Sequence, residues 1–277
     1  MTPLAPALLA VISFLIPGPG EPAAQPLDAQ AGAPSTAEER YLADLRQRVA
    51  RGDIEAEVAI GNLYESGQSV LPFDPAMAVE WYRRAADKGH VGAQINLAMM
   101  YLDGFGVPRD AAQAVAWYRK AAERGDPLAQ FSLGSIYETG VDRIARDEAI
   151  AAEWFRKAAD QGLVSAEYKL GELYRQGRGV RKDRDQALAW LRKAADQGEA
   201  DAQIELGILL SPGPGATEDI VEAHTWLNLA ASRWKKEAQR VNAASRRDAL
   251  AARMTAAQLS EAYRRATEWQ DAHAWRK

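Results

Sequence analysis

Apolar and small residues in the middle of the chain follow a helical period, and that pattern recurs on a longer one. Trp81, Trp117, Trp154, Trp190 and Trp226 are spaced 36, 37, 36 and 36 residues apart. Upstream of each stands a small residue: Gly61, Ala98, Gly134, Gly171 or Gly207. Tyr64, Tyr101, Tyr137, Tyr174 or Leu210 lies three residues after it, and Ala56, Ala93, Ala129, Ala166 or Ala202 five before. Each Trp is followed by an alanine pair, from Ala85-Ala86 to Ala230-Ala231. So many positions in one register define an internal repeat of five units.

Each unit predicts two helices. Helix A carries Ala-x-x-x-Leu-(Gly/Ala)-x-x-Tyr, as in Ala129, Leu133, Gly134 and Tyr137. Steps of four, one and three put Ala, Leu and Tyr on one face, and the small residue lets helix B approach closely. Gly67, Gly104, Gly140 and Gly177 mark the ends of helix A, where a left-handed residue closes the last turn. Asp74, Asp110, Asp147, Asp183 and Asp219 open helix B, each carboxylate free to accept orphan backbone N–H groups. Gln113, Gln186 and Glu222, three residues on, are expected to complete capping boxes. Pro75 suits a first helical position. Gly89, Gly125, Gly162 and Gly198 end helix B. Recurrence at one cap position assigns these aspartates to structure rather than to metal or acid–base chemistry. The Trp of helix B is placed to pack on the Ala and Tyr of helix A. If its ring is fully buried, Trp154→Ala should cost about 3–5 kcal/mol.

The flanks differ from the units. Tyr41 to Gly52 reads as a lone helix B that caps the N-terminal end, as the ends of repeat stacks require. Arg233 to Arg253 reads as one long helix. Thr255 with Gln258 forms a capping box that opens a last helix through Trp269. The loops of unit 1 (Gln68 to Phe73), unit 3 (Val141 to Ile144) and unit 5 (Leu210 to Gly215) depart from the pattern. Leu4 to Ile16 is apolar but too short to span a bilayer, and Ala29-Gln30-Ala31 is a cleavage-type sequence. The expected organisation is a cleaved signal peptide over 1–31, a linker and N-terminal capping helix over 32–52, five repeats over 53–232 and C-terminal capping helices over 233–277. The expected location is periplasmic or secreted; the alternative is an uncleaved N-terminal membrane anchor.

Composition narrows the function classes. The 277 residues include no cysteine, which excludes disulfides, thiolate metal sites and cysteine nucleophiles. A net charge of −4 argues against nucleic acid as a partner. From Arg233 to Lys277, eleven cations face five anions. This segment is basic in an acidic chain, and it offers contact to an acidic partner or an anionic membrane surface. His90, His224 and His273 share no ligand spacing, so no metal or cofactor is expected. Ser232-Arg233-Trp234-Lys235 fits S-x-x-K, a serine-hydrolase motif, but its companions S-D-N and K-T-G are absent.

Ala166 to Tyr174, Gly177-Arg178-Gly179-Val180, Asp183 and Ala187 to Gly198 together resemble the Sel-one-like repeat family, a relative of the tetratricopeptide repeat. Gly104-Phe105-Gly106-Val107 and Trp117 to Ala122 match as well, and the resemblance covers about Asp53 to Ser232. It implies an all-α fold: a right-handed α-solenoid superhelix of helix-turn-helix repeats with capping helices at both ends. It further implies a non-enzymatic adaptor or regulator in the cell envelope. Such a protein holds a protein or peptide partner, not a small-molecule substrate, on a concave side lined by helix A. The alternatives are a cell-wall or β-lactam-directed hydrolase and a passive scaffold within a larger complex.

That placement singles out a row. Three residues before each small residue stand Val58, Ile95, Phe131, Tyr168 and Ile204, pointing away from helix B yet apolar or aromatic. One residue after it come Asn62, Met99, Ser135, Glu172 and Ile208; Leu102 and Arg175 lie four after. Two readings are open. The row packs between neighbouring helices A, or it forms an apolar stripe with polar edges that receives a partner segment.

Overall fold

The computed structural model describes residues 36–67, 71–211, 220–233 and 237–273. Residues 1–35 with the expected leader, residues 68–70 of the first irregular loop, most of the unit 5 loop with Asp219, Trp234 to Lys236 and residues 274–277 lie outside them. Among the described residues the chain forms thirteen α-helices. A capping helix α1 (Ala37–Ala50) precedes five hairpins: α2 (Ile54–Ser66) with α3 (Pro75–Asp87), α4 (Val91–Asp103) with α5 (Ala111–Glu123), α6 (Pro127–Thr139) with α7 (Glu148–Asp160), α8 (Val164–Gln176) with α9 (Arg184–Asp196), and α10 (Ala200–Leu210) with α11 (Ile220–Arg233). Helices α12 (Glu237–Ala251) and α13 (Ala256–Ala272) follow. From α1 to α12 each helix packs on its chain neighbours, and α12 and α13 both cover α11, so the units stack into an all-α solenoid.

Local chemistry sets the helix ends. The carboxylates of Asp74, Asp110, Asp147 and Asp183 each accept two backbone N–H bonds at the start of α3, α5, α7 and α9. Gly67, Gly104 and Gly177 close α2, α4 and α8 in the left-handed conformation. The unit 3 loop replaces the usual glycine turn with a Val141–Ile144 bridge. Asp147→Ala removes the acceptor of the Ala149 and Ile150 N–H groups, both at 3.0 Å. It should cost about 1 kcal/mol, read as a lower urea midpoint with little change in helicity.

Three expectations are corrected. Reciprocal capping boxes form at Thr36–Glu39 of α1 and Thr255–Gln258 of α13. In α5 and α9 the aspartate caps without that return bond among the described contacts. Glu222 accepts from Arg192 of the preceding unit, both bonds 2.9 Å, while its expected cap partner Asp219 lies outside the described residues. The segment from Arg233 to Arg253 is not one helix: α12 starts at Glu237 and folds back on α11, burying Ala243 and Leu250. The Trp row is not the deepest row either. Trp81, Trp154 and Trp190 are half-buried. The residues after each Trp, namely Tyr82, Tyr118, Phe155, Leu191 and Leu227, are at most 4% exposed.

That burial explains the small residue of helix A. A Cβ added at Gly61, Gly134, Gly171 or Gly207 would lie 2.6–2.8 Å from Tyr82, Phe155, Leu191 or Leu227. In those four units the hairpin closes as it does because no side chain stands there. Four residues before the small residue runs a buried polar row: Glu57, Gln94, Gln130, Glu167 and Gln203. The Gln94, Gln130 and Gln203 amides each donate to a carbonyl in the last turn of the preceding helix, Ala86, Ala122 or Ala195, at 3.1 Å. Buried polar atoms need such partners. The same row ties helix A to the end of helix B within a unit, Lys88 donating to Glu57 at 2.9 Å and Gln197 to Glu167 at 2.7 Å.

Candidate partner-binding surface

The predicted row runs along α2, α4, α6, α8 and α10, but its −3 members are not turned fully away from helix B: Phe131 and Ile204 pack on the helix B of their own units. Its −3 members do two jobs. Phe131 packs on Phe155 with ring centroids 5.4 Å apart and also touches the Ala166–Leu170 cluster of the next unit. Val58, Ile95 and Leu102 rest on the core shared by units 1–3. Tyr168 rests on the core of units 4 and 5. All of these keep part of their surface accessible. Ile204 does not: it is buried against Ala230 and Ala243, because α12 covers that end of the stack. Ile208 stays half-buried beside it.

The +1 members are more open. Asn62 is exposed and Met99 is 49% exposed, whereas Ser135 and Glu172 are half-buried. The Ser135 hydroxyl donates to the Phe131 carbonyl of its own helix. Arg175 lies 3.0 Å from Glu172 and 3.3 Å from Glu205, tying α8 to α10. Burial, then the Glu172, Asp201 and Glu205 carboxylates, raise the Tyr168 hydroxyl above its usual value. Burial also raises Glu205, against the pull of Arg175. Lys169 bonds Glu138 at 2.9 Å, and Arg178 lies 3.4 Å from the same carboxylate.

A hollow of about 210 Å³ opens between α2 and α4, lined by Glu65, Asn96, Met99, Met100, Asp103 and Phe105. The buried Tyr82 hydroxyl lies within hydrogen-bond distance of the Asn62 amide, at 2.6 Å, and of the Glu65 carboxylate, which can share its one proton. Burial and the Glu65 carboxylate hold that phenol protonated well above its ordinary range. Two wider depressions, of about 410 and 450 Å³, lie against the start of α7 and of α5, lined largely by charged residues and alanines.

Several regular features escaped the sequence reading. Lys120, Lys157 and Lys193 sit 3.6–4.0 Å over the rings of Trp117, Trp154 and Trp190, three residues apart on one helix face. Arg83 and Arg119 donate to the hydroxyls of Tyr101 and Tyr137, and Arg156 to Tyr174, always across 18 residues. The signal was present, since each cation repeats at a fixed offset from its Trp or Tyr.

The remaining candidate groups are engaged in structure. His90 accepts from the Ala93 N–H at the start of α4, and its other ring nitrogen is 2.9 Å from Glu55. His224 is fully buried edge-on to Tyr263, and burial keeps it below its ordinary value. The Ser232 hydroxyl donates to the Leu229 carbonyl at 2.8 Å; Lys235 lies outside the described residues. On α13, Arg264 and Arg265 both bond Glu261 at 2.7 Å and hold it down to about 2.

Fold and surface together define a helical-repeat solenoid with one accessible, partly apolar helix face. The Sel1 repeat matches residues 54–90, 91–126, 127–163, 164–199 and 200–233, and the chain belongs to the Sel1 repeat family. A Sel1 repeat protein from Oxalobacter formigenes is 30% identical, with a TM-score of 0.66 over 73% of this chain and 82% of that one. A protective antigen of uropathogenic Escherichia coli with an SLR fold is 26% identical, with a TM-score of 0.40 over 83% of this chain and 63% of that one. No curated protein matches the chain. Sel1 repeat proteins are in general protein-interaction modules, and they are typically non-catalytic scaffolds.

Proposed function

We propose that the chain is a non-enzymatic adaptor or regulator that holds a protein or peptide segment on the concave, helix-A face of its solenoid. The reading includes work in the cell envelope, after removal of a leader that ends near Ala31. The observation that carries it is the open Met99, 49% exposed in a row whose other apolar members line the same face. An aqueous face with no partner would be polar at that position, as Asn62 is in unit 1. The apolar stretch from Leu4 to Ile16 supports the envelope location, and the Ser232 hydroxyl, committed to a backbone carbonyl, favours the non-enzymatic reading over hydrolysis.

A photo-crosslinking residue at position 99, in cells that make the protein, tests this. A discrete adduct is expected from position 99 and not from position 116, which is exposed on α5. No adduct at 99, or the same band from both positions, overturns the assignment.

A further inference from the structure

The carboxylates of the helix-A face are treated in two ways along the stack. Towards the C-terminal end they are neutralised internally. Glu138 meets Lys169 and Arg178, and Glu172 and Glu205 share Arg175. Towards the N-terminal end, among the described residues, Glu65 and Asp103 have no cation within ion-pair distance. Among the described residues, Glu65 accepts from the Tyr82 hydroxyl, a neutral donor. These two carboxylates line the same hollow, and between them the wall is Met99, Met100 and Phe105.

An exposed apolar surface adjoins that hollow. Phe105 stacks at a tilt on Phe73, centroids 6.0 Å apart, although Phe73 is 59% exposed. Met77, in the first turn of α3, is exposed nearby in the chain. Two aromatic rings and a methionine left in water beside two uncompensated carboxylates form a patch with a defined complement. At about 210 Å³ the hollow falls below the roughly 300–1,000 Å³ typical of metabolite sites and suits one long side chain.

We propose that this patch receives a basic peptide segment of the partner. An Arg or Lys enters between Glu65 and Asp103, and a neighbouring aromatic or aliphatic residue lies on Met99, Phe105 and Phe73. The guanidinium or ammonium supplies the counter-charge that units 3–5 provide internally. The apolar neighbour anchors the segment, as aromatic and Arg residues commonly do at interfaces. This assignment rests on the helix-A face being the binding face and adds the chemistry of what it binds.

The probe is a fluorescein-labelled synthetic dodecapeptide that alternates Arg or Lys with Trp or Leu, compared with a twin carrying Glu at each basic position. Fluorescence anisotropy should show micromolar binding of the basic peptide to the full chain and none of the twin. Affinity should fall at least fivefold from 50 to 500 mM salt, as ionic contacts near a surface are screened. It should fall at least fivefold in Asp103→Asn, and further in Glu65→Gln with Asp103→Asn. Glu153→Gln, exposed on α7, should change nothing. Asp103→Asn alone keeps the test valid if loss of the Tyr82–Glu65 bond unsettles the fold. Equal binding of the twin, or full affinity in a folded Asp103→Asn protein, overturns the proposal. A partner that still crosslinks at position 99, indifferent to both neutralising substitutions, would leave the binding face standing and remove only its charge preference.

Discussion

Phe155→Ala is expected to lower the stability of the folded chain by about 3–5 kcal/mol, and Trp154→Ala, one residue earlier, by clearly less. The two side chains have different tasks despite their adjacency. Phe155 is fully buried, and its ring fills the space that Gly134 leaves open: a Cβ at Gly134 would lie 2.6 Å from its Cδ1. It also meets the Phe131 ring of the facing helix. Truncation therefore empties a cavity at the centre of the third hairpin, and the backbone of two glycine-matched helices has little freedom to collapse into it. Trp154 lies half-buried on the rim, with Lys157 at 4.0 Å over its ring. Its loss gives up partial burial and a cation–π contact of about 0.5–1 kcal/mol, with water free to enter. Because each unit of a solenoid is held by its neighbours, the Phe155 cavity should also weaken the stacking of units 2 and 4. Urea denaturation of both variants decides the matter. Equal losses, or a larger loss at Trp154, would show that the conserved spacing of the Trp row marks the deeper packing after all.

The periodicity of the chain made the helices, their order and most of their ends legible. Glycine and aspartate act through backbone conformation and cap bonds, which depend on nearest neighbours in sequence. Depth was less legible. Trp is the largest residue of helix B and draws attention as an anchor. Yet it is the next residue, which varies among Tyr, Phe and Leu, that faces the small position of helix A. Which of two adjacent positions turns inward depends on the crossing of the two helices, and the pattern within one helix leaves that open. The candidate face shows the same limit. The apolar character of Phe131 and Tyr168 was visible, but their sharing between core and surface follows from the offset between units. Ile204 was lost to the surface because α12 folds back over the last unit, a contact between segments no repeat encodes. The unpaired state of Glu65 and Asp103 was invisible for the same reason, since ion pairs here run across about thirty residues, as Lys169 to Glu138 does.

Gly179→Ala should prove far more damaging than Gly162→Ala, although both glycines have positive φ, +65° and +82°. Placing alanine in that region costs about 1–2 kcal/mol at either site. At Gly162 that is the whole effect, because nothing lies within 4 Å of the added carbon. At Gly179 the added carbon would sit 1.9 Å from the Glu148 carbonyl oxygen and 2.2 Å from its carbon. Those atoms belong to the first turn of α7, whose place is set by the Asp147 cap, so they cannot move aside as a flexible side chain could. Arg178, bonded to the Glu148 carboxylate at 2.8 Å, pins the loop onto the same turn. Relief requires the unit 4 loop to lift from unit 3. An overpacking cost of about 1–3 kcal/mol is added to the conformational one, for a total of roughly 2–5 kcal/mol. The loop between helices A and B is thus a joint between successive units as well as a connection within one. Gly106 meets the Pro75 carbonyl oxygen in the same way, at 2.3 Å, where unit 2 meets unit 1. Denaturation midpoints for the two alanine variants should separate accordingly. Hydrogen exchange should show the Gly179→Ala loss concentrated in the first turn of α7 and the end of α8. If both substitutions cost the same, the loop of one unit does not bear on the next, and the units are joined by their helix faces alone.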